Sequence, residues 1–350
     1  MNTEAQAALA RQMPKVLLHE HLDGGLRVAT LFELLAGRGL HSPAPDVVSL
    51  AAWFRARAQA HSLEQYLQGF GLTVAAMATP AALERVAFEA AEDALADGAV
   101  LAEFRIAPLL FEPHGVPAEA AVEAMLAGLA RSALPSGLIL CGMRHQFGGE
   151  VERTADLALR YAGQGVVGFD LAGPEAGFPP ARHAATLARV HDAGLPMTLH
   201  AGEADVAERV LEAAEHGAVR IGHGVRLADA LGDPARAALL DAVRQRGLHL
   251  EVCPTSNVHT GAFASLAAHP LAALWRAGIE CSFHTDNRLM SVVGLADEAV
   301  NVLQGCGLTL AEMLAMTRAA AQRSFLPETT RQAALANIDA WGQRQLPLTV

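Results

Sequence analysis

Eight short apolar runs, each closing in polar residues and a turn, recur along the chain and constrain its fold more than any other feature. They fall at residues 15–21 (KVLLHEH), 100–108, 138–145, 166–173, 196–203, 220–224, 249–257 and 280–287 (ECSFHTDN). Runs of this length and character read as strands. Ala-rich stretches with helical periodicity lie between them, for example 117–132 and 180–193. Several of these reach a glycine just before the next run, as at Gly194, Gly247 and Gly278, the signal of a helix C-terminus. Strands alternating with helices imply βαβ units and a parallel sheet. Eight such units predict a closed (β/α)8 TIM barrel of the α/β class. The rival, an open doubly wound sheet, lacks its glycine-rich nucleotide fingerprint after the first strand.

A barrel of this kind fills 350 residues as one domain, so 1–350 reads as a single barrel unit. Nearly eighty residues separate the first run from the second. That excess reads as a helical insertion over about 24–98, including 62–71 (SLEQYLQGFG). An insertion after a barrel strand sits at the catalytic face, where it can serve as a lid.

Composition narrows the function classes. Hydrophobic residues make up 52% and charged residues 18%, ample for a packed core. A formal charge of −11 argues against a nucleic-acid surface, which needs clustered basic residues. No run is long and apolar enough to cross a bilayer, and the N-terminus lacks a secretory pattern. Cys141, Cys253, Cys281 and Cys306 have no paired spacing and read as small core residues in a reducing compartment. The expectation is a cytoplasmic enzyme acting on a small molecule, with no nucleic-acid or membrane partner.

Barrel enzymes build their sites at the C-terminal ends of the strands, and that is where the reactive side chains of this sequence collect. The first run ends His19-Glu20-His21-Leu22-Asp23, the fifth His200-Ala201-Gly202-Glu203, the sixth His223-Gly224 and the eighth His284-Thr285-Asp286-Asn287. Side chains alternate along a strand, so His19 and His21 share one face while Glu20 points away. With His200 and Asp286 they offer three nitrogens and one carboxylate oxygen, a set suited to zinc with a position left for water. Glu203 lies near this cluster without needing to ligate, and His223 can pair with the water while Asp286 holds its other side. Many binuclear barrel hydrolases bridge two metals through a lysine at the fourth strand end. Here the only lysine, Lys15, starts the first strand at the opposite face, so one zinc per chain is expected.

The motifs HEHLDGG, DLAGPE, HAGE, GHG and TDN, in that order from Lys15 to about Met290, resemble the adenosine deaminases of the amidohydrolase superfamily. The resemblance implies hydrolytic deamination of a 6-aminopurine nucleoside, in purine salvage. It implies His19, His21, His200 and Asp286 as zinc ligands and Glu203 as the acid that protonates purine N1. By the same likeness, His223 orients and deprotonates the water, with Asp286 sharing the task. His21, Asp23, Gly173 and Asn287 become substrate contacts, Asp23 at the ribose and the Gly173 N–H at a purine nitrogen. Tyr66, Leu67 and Phe70 match an apolar lid helix.

Two positions depart from the family pattern. Asn287 stands where animal members carry aspartate. It faces N7, an acceptor, and an amide always has donors to offer. His284 stands where asparagine is expected, and strand alternation makes it a partner of the Asp286 carboxylate. Related substrates, adenine or 6-aminodeoxyfutalosine, remain alternatives to adenosine. A barrel hydrolase of esters or lactones is a more distant one.

Overall fold

The computed structural model describes residues 3–60, 63–146 and 148–346, and the side chains of residues 63–67 lie outside that description. Among the described residues, eight parallel strands form one sheet in sequential order. They are β1 (Lys15–Leu17), β2 (Ala99–Ile106), β3 (Ser136–Met143), β4 (Val166–Ala172), β5 (Met197–Ala201), β6 (Ala218–His223), β7 (His249–Val252) and β8 (Cys281–Phe283). The ring meets itself at the mouth. There the His21 N–H donates to the Asp286 carbonyl (2.7 Å) and the Asp286 N–H to the His19 carbonyl (3.0 Å). The predicted (β/α)8 barrel is therefore the observed fold, and the backbone of three site residues makes its seam.

The intervening helices follow from local chemistry. The stretches read as helical at 117–132 and 180–193 form helices Ala118–Ala130 and Ala184–Asp192, the latter preceded by a 3-10 turn. Gly194, Gly247 and Gly278 take left-handed conformations just past their helices, as anticipated. Between β1 and β2 lie helices Val28–Gly37, Val47–Ala58, Leu63–Met77 and Pro80–Ala96. Asp46 and Thr79 cap two of them by accepting from the backbone N–H groups of Ser49 and Ala82.

Two boundaries differ from the sequence reading. Regular pairing in β1 and β8 stops at Leu17 and Phe283, and the residues beyond continue only as isolated bridges, Glu20 with Asp286 and His21 with Arg105. The seventh run breaks after Val252 into a short helix, Pro254–His259. Pro254 cannot donate to a strand ladder, whereas its fixed φ suits a first helical turn.

Outside the barrel, helices and sheet share a continuous apolar core. Inside it, the strands bury charge. Glu103, Arg105, Arg220 and Glu251 are fully enclosed. Arg220 donates through Nε to Glu251 (2.7 Å) and through its guanidinium to Glu103 (2.5 Å). Glu103 also accepts from Ser324 Oγ and the Phe325 N–H, tying β2 to the chain after β8. Lys15 closes the opposite face, its Nζ donating to the carbonyls of Arg11, Met13 and Asp97 at 2.6–2.9 Å. Burial lowers its pKa to about 8 against the opposing charge of Asp97.

Removing one member of a buried ion network leaves its partner's charge uncompensated. Glu103→Ala is accordingly expected to cost about 3–5 kcal/mol in urea unfolding. A loss below about 1 kcal/mol would show that Glu251 and the Arg323 carbonyl satisfy Arg220 without Glu103.

Candidate metal centre and active site

The metal-type donors converge at the barrel mouth. His21 Nε2 lies 3.4 Å from His200 Nε2. Asp286 Oδ1 lies 3.5 Å from His19 Nε2 and 3.6 Å from His21 Nε2. A tetrahedral zinc shell with bonds of about 2.0–2.1 Å has ligand–ligand edges of about 3.3–3.4 Å, so the donor group of His19, His21 and His200 is spaced to hold one ion, with Asp286 beside two of its members. His19 Nε2 is buried and makes no hydrogen bond, an orphaned acceptor that a cation would satisfy. His223 also reaches this cluster, grouping with His19 and Asp286.

The outer partners aim these donors. His19 Nδ1 donates to Glu251 Oε2 (3.1 Å) and His200 Nδ1 to Asp170 Oδ1 (3.1 Å), which leaves each Nε2 free for a metal. Arg105 joins the two carboxylates, donating to Asp170 (3.0 Å) and Glu251 (2.6 Å). Ser256 Oγ donates to Asp286 Oδ2 (2.6 Å), turning Oδ1 toward the histidines. Burial lowers the His19 pKa to about 4, with the Arg105 charge acting in the same direction, and burial takes His21 well below its ordinary value. Both rings are thus neutral, the ligating form. Burial opposes charge on His200, but Asp170 outweighs it and raises that pKa.

Glu203 stands beside the cluster, its Oε2 3.5 Å from His223 Nε2. Its loop is fixed by Glu175, whose carboxylate accepts from the successive N–H groups of Gly202, Glu203 (3.0 Å), Ala204 (2.9 Å) and Asp205 (3.1 Å). On the other side, Glu20 points away from the cluster as alternation requires. It receives Thr285 Oγ1 (2.8 Å) and Arg288 Nε (2.6 Å), pinning the loop of Asp286 and Asn287. Asp23 Oδ1 and Asn287 Oδ1 are buried without hydrogen-bond partners. Burial, with Asp286 nearby, raises the Asp23 pKa to about 7. Gly24 packs so closely on Asn287 that a Cβ would lie 2.0 Å from its Oδ1, so no other residue fits there without moving the amide. Gly173 adopts φ +93° beside His145 at the end of β4.

Two expectations meet a different outcome or none. His284 does not bond to Asp286. Its Nδ1 accepts from the Leu18 N–H (3.2 Å), and its Nε2 pairs with Ser282 Oγ (2.7 Å). The reason is that β8 ends at Phe283 and Asp286 turns back at φ +60°, so strand alternation no longer relates the two residues. His284 instead supplies an acceptor at the seam between β8 and β1. The side chains of Tyr66 and Leu67 lie outside the described residues, and Phe70 packs half-buried against the core.

Sequence reasoning missed Arg105, Asp170, Glu175, Glu251, Ser256 and Asn257. A usable signal existed for three of them: Arg105, Asp170 and Glu251 are charges inside otherwise apolar runs, which must be paired when buried.

The family model described as adenosine deaminase matches residues 14–341. Adenosine deaminase of Mycobacterium ulcerans (strain Agy99) is 41% identical over 332 residues, 90% of this chain and 91% of that one. Adenosine deaminase of Mycobacterium avium (strain 104) is 40% identical over 349 residues, 94% of each. Among solved structures, adenine deaminase from Arthrobacter aurescens superposes with a TM-score of 0.83 at 24% identity, covering 95% of this chain and 99% of that one. An amidohydrolase from Burkholderia ambifaria, solved with bound Zn, gives 0.83 at 23% identity, with 98% and 95% covered. Likeness at these identities concerns the fold.

Glu175→Ala removes a charged acceptor shared by four amides. Hydrogen exchange at residues 202–205 is expected to accelerate roughly 10- to 100-fold, the equivalent of about 1.5–3 kcal/mol. Unchanged exchange would mean the loop is held by other contacts.

Proposed function

The chain belongs to the adenosine deaminase family, and on that premise we propose that it hydrolyses adenosine and 2′-deoxyadenosine to inosine and deoxyinosine, releasing ammonia. The observation behind this reading is the gathering, at one barrel mouth, of a three-imidazole, one-carboxylate donor set with Glu203 3.5 Å from His223. His19, His21, His200 and Asp286 would hold one zinc ion. When bound, zinc supplies Lewis acidity that brings the pKa of water toward neutrality.

The chain's own residues then divide the remaining work. Asp286 and His223 orient the attacking water between them, and one of this pair takes up its proton as its oxygen bonds to C6. Glu203, in its protonated form, gives a proton to N1, which relieves the charge that would otherwise build on the ring. The proton taken from the water passes to the C6 amino group, which leaves as ammonia, while the adduct's hydroxyl proton returns to Glu203 as C6=O forms, so the purine keeps an oxygen at C6 and a hydrogen at N1. Asn287 donates to N7, the Gly173 N–H to a ring nitrogen, and Asp23 and His21 face the ribose. The buried, unpartnered carboxylate oxygen of Asp23 supports its assignment to the ribose, since such an acceptor awaits a hydroxyl donor.

The helical insertion over about 24–98 is proposed as a lid over one domain spanning 1–350, with Phe70 on its inner side. Relatives about 40% identical that are named adenosine deaminase favour adenosine over adenine or 6-aminodeoxyfutalosine. Among the described residues, no helix is long and apolar enough to cross a membrane. Four buried free cysteines fit a reducing compartment, so a cytoplasmic site of action is part of the proposal.

A panel of adenosine, 2′-deoxyadenosine, adenine and 6-aminodeoxyfutalosine, followed by ultraviolet absorbance, tests the substrate. The nucleosides are expected to lead, and a clear preference for adenine or 6-aminodeoxyfutalosine would overturn the assignment. Glu203→Gln should keep stoichiometric metal and lose turnover by about 100- to 10,000-fold. Full activity in that variant would remove Glu203 from proton transfer.

A further inference from the structure

His223 belongs to a dry hydrogen-bonded chain that runs away from the metal donors. Its Nδ1 lies 3.2 Å from Asn257 Nδ2, Asn257 Oδ1 lies 3.3 Å from His269 Nε2, and His269 Nδ1 lies 3.2 Å from the Leu271 backbone nitrogen. His223, Asn257 and His269 are 1%, 0% and 5% exposed, so water cannot substitute for any member. Phe263 packs edge-on against the His269 ring at 4.9 Å and helps fix its orientation.

An imidazole nitrogen and an amide can each be read as donor or acceptor, but a backbone N–H only donates. Leu271 therefore sets the direction of the whole chain. His269 Nδ1 must accept from it. Burial lowers the His269 pKa to about 3, so the ring carries a single proton. That proton is then on Nε2 and is donated to Asn257 Oδ1. The amide is thereby oriented with Nδ2 toward His223, where it donates to Nδ1. Reversing the amide would place two donors face to face at Leu271.

We propose that Asn257 and His269 are positioning residues that hold neutral His223 as the tautomer protonated on Nε2. This rests on the reading that places His223 beside the attacking water. In that tautomer the nitrogen facing Glu203 and the reaction site presents N–H, so His223 enters the reaction as a hydrogen-bond donor. Acceptance of the water's proton then falls to the Asp286 carboxylate. The strained backbone at His223, φ +64°, fits a ring held in one orientation for function.

Long-range proton–nitrogen spectra of the histidine-labelled, zinc-loaded protein at alkaline pH test this directly, with His223→Gln used to assign the ring. The expected wild-type result is a protonated, pyrrole-like Nε2 and an unprotonated, pyridine-like Nδ1. Asn257→Asp replaces the donor at Nδ1 with a carboxylate of the same shape, which only accepts when ionised. It should move a proton onto Nδ1 and lower turnover by about 100- to 10,000-fold while keeping stoichiometric zinc. A wild-type ring protonated on Nδ1, or an Asn257→Asp ring unchanged from wild type, would overturn the proposal. If Asn257→Asp fails to fold, the wild-type spectrum alone still decides. The ring is read without substrate, so a failed substrate panel and a failed tautomer result are separate outcomes.

Discussion

The site depends on one fully buried guanidinium. Arg105 sits in β2 beneath the mouth and bridges Asp170 of β4 to Glu251 of β7, and these carboxylates hold the Nδ1 atoms of His200 and His19. A buried cation without such partners would be untenable, and so would either carboxylate without the cation. The pairing works in both directions. Arg105 helps keep Asp170 and Glu251 ionised, and the ionised carboxylates keep two rings turned with Nε2 toward the candidate metal position. The same Glu251 also receives Arg220 and Thr198, so the packing of the barrel interior is coupled to the aim of the ligands.

The mouth adds a second coupling. The seam between first and last strands is closed by the backbones of His19, His21 and Asp286, the residues whose side chains carry the candidate metal donors. Any shift in closure therefore moves ligands. Loops at the rim are held by single carboxylates with several donors each. Glu175 gathers four consecutive amides beneath Glu203, and Glu20 ties Thr285 and Arg288 beside Asn287. Such charge-assisted bonds hold catalytic loops more firmly than side-chain packing on an exposed rim does. Positive φ at both His223 and Asp286 shows that the mouth is shaped for the site at some backbone cost.

Much of this was legible before any coordinates. Strand–helix alternation gives the barrel because period and length are local properties. The ligand residues stand out because reactive side chains at strand ends are conspicuous among apolar neighbours. Their partners are not local: Glu251 lies 232 residues from the His19 it orients. No period along the chain reports which buried charges meet across a barrel. His284 shows the limit from another side. Alternation is a rule for regular strands, and it stopped applying at Phe283, four residues before the end of the run read as a strand. Asn257 was hidden for a similar reason, since Pro254 converts the end of an apparent strand into a helix.

We propose a single metal ion held by three imidazoles and one carboxylate, with His19, His200 and Asp286 aimed by Glu251, Asp170 and Ser256. Metal analysis combined with zinc-edge X-ray absorption of the loaded protein addresses it most directly. The expected result is one zinc per chain with a shell of nitrogen and oxygen that includes three imidazoles. Two ions per chain, or a shell containing sulfur, would contradict it.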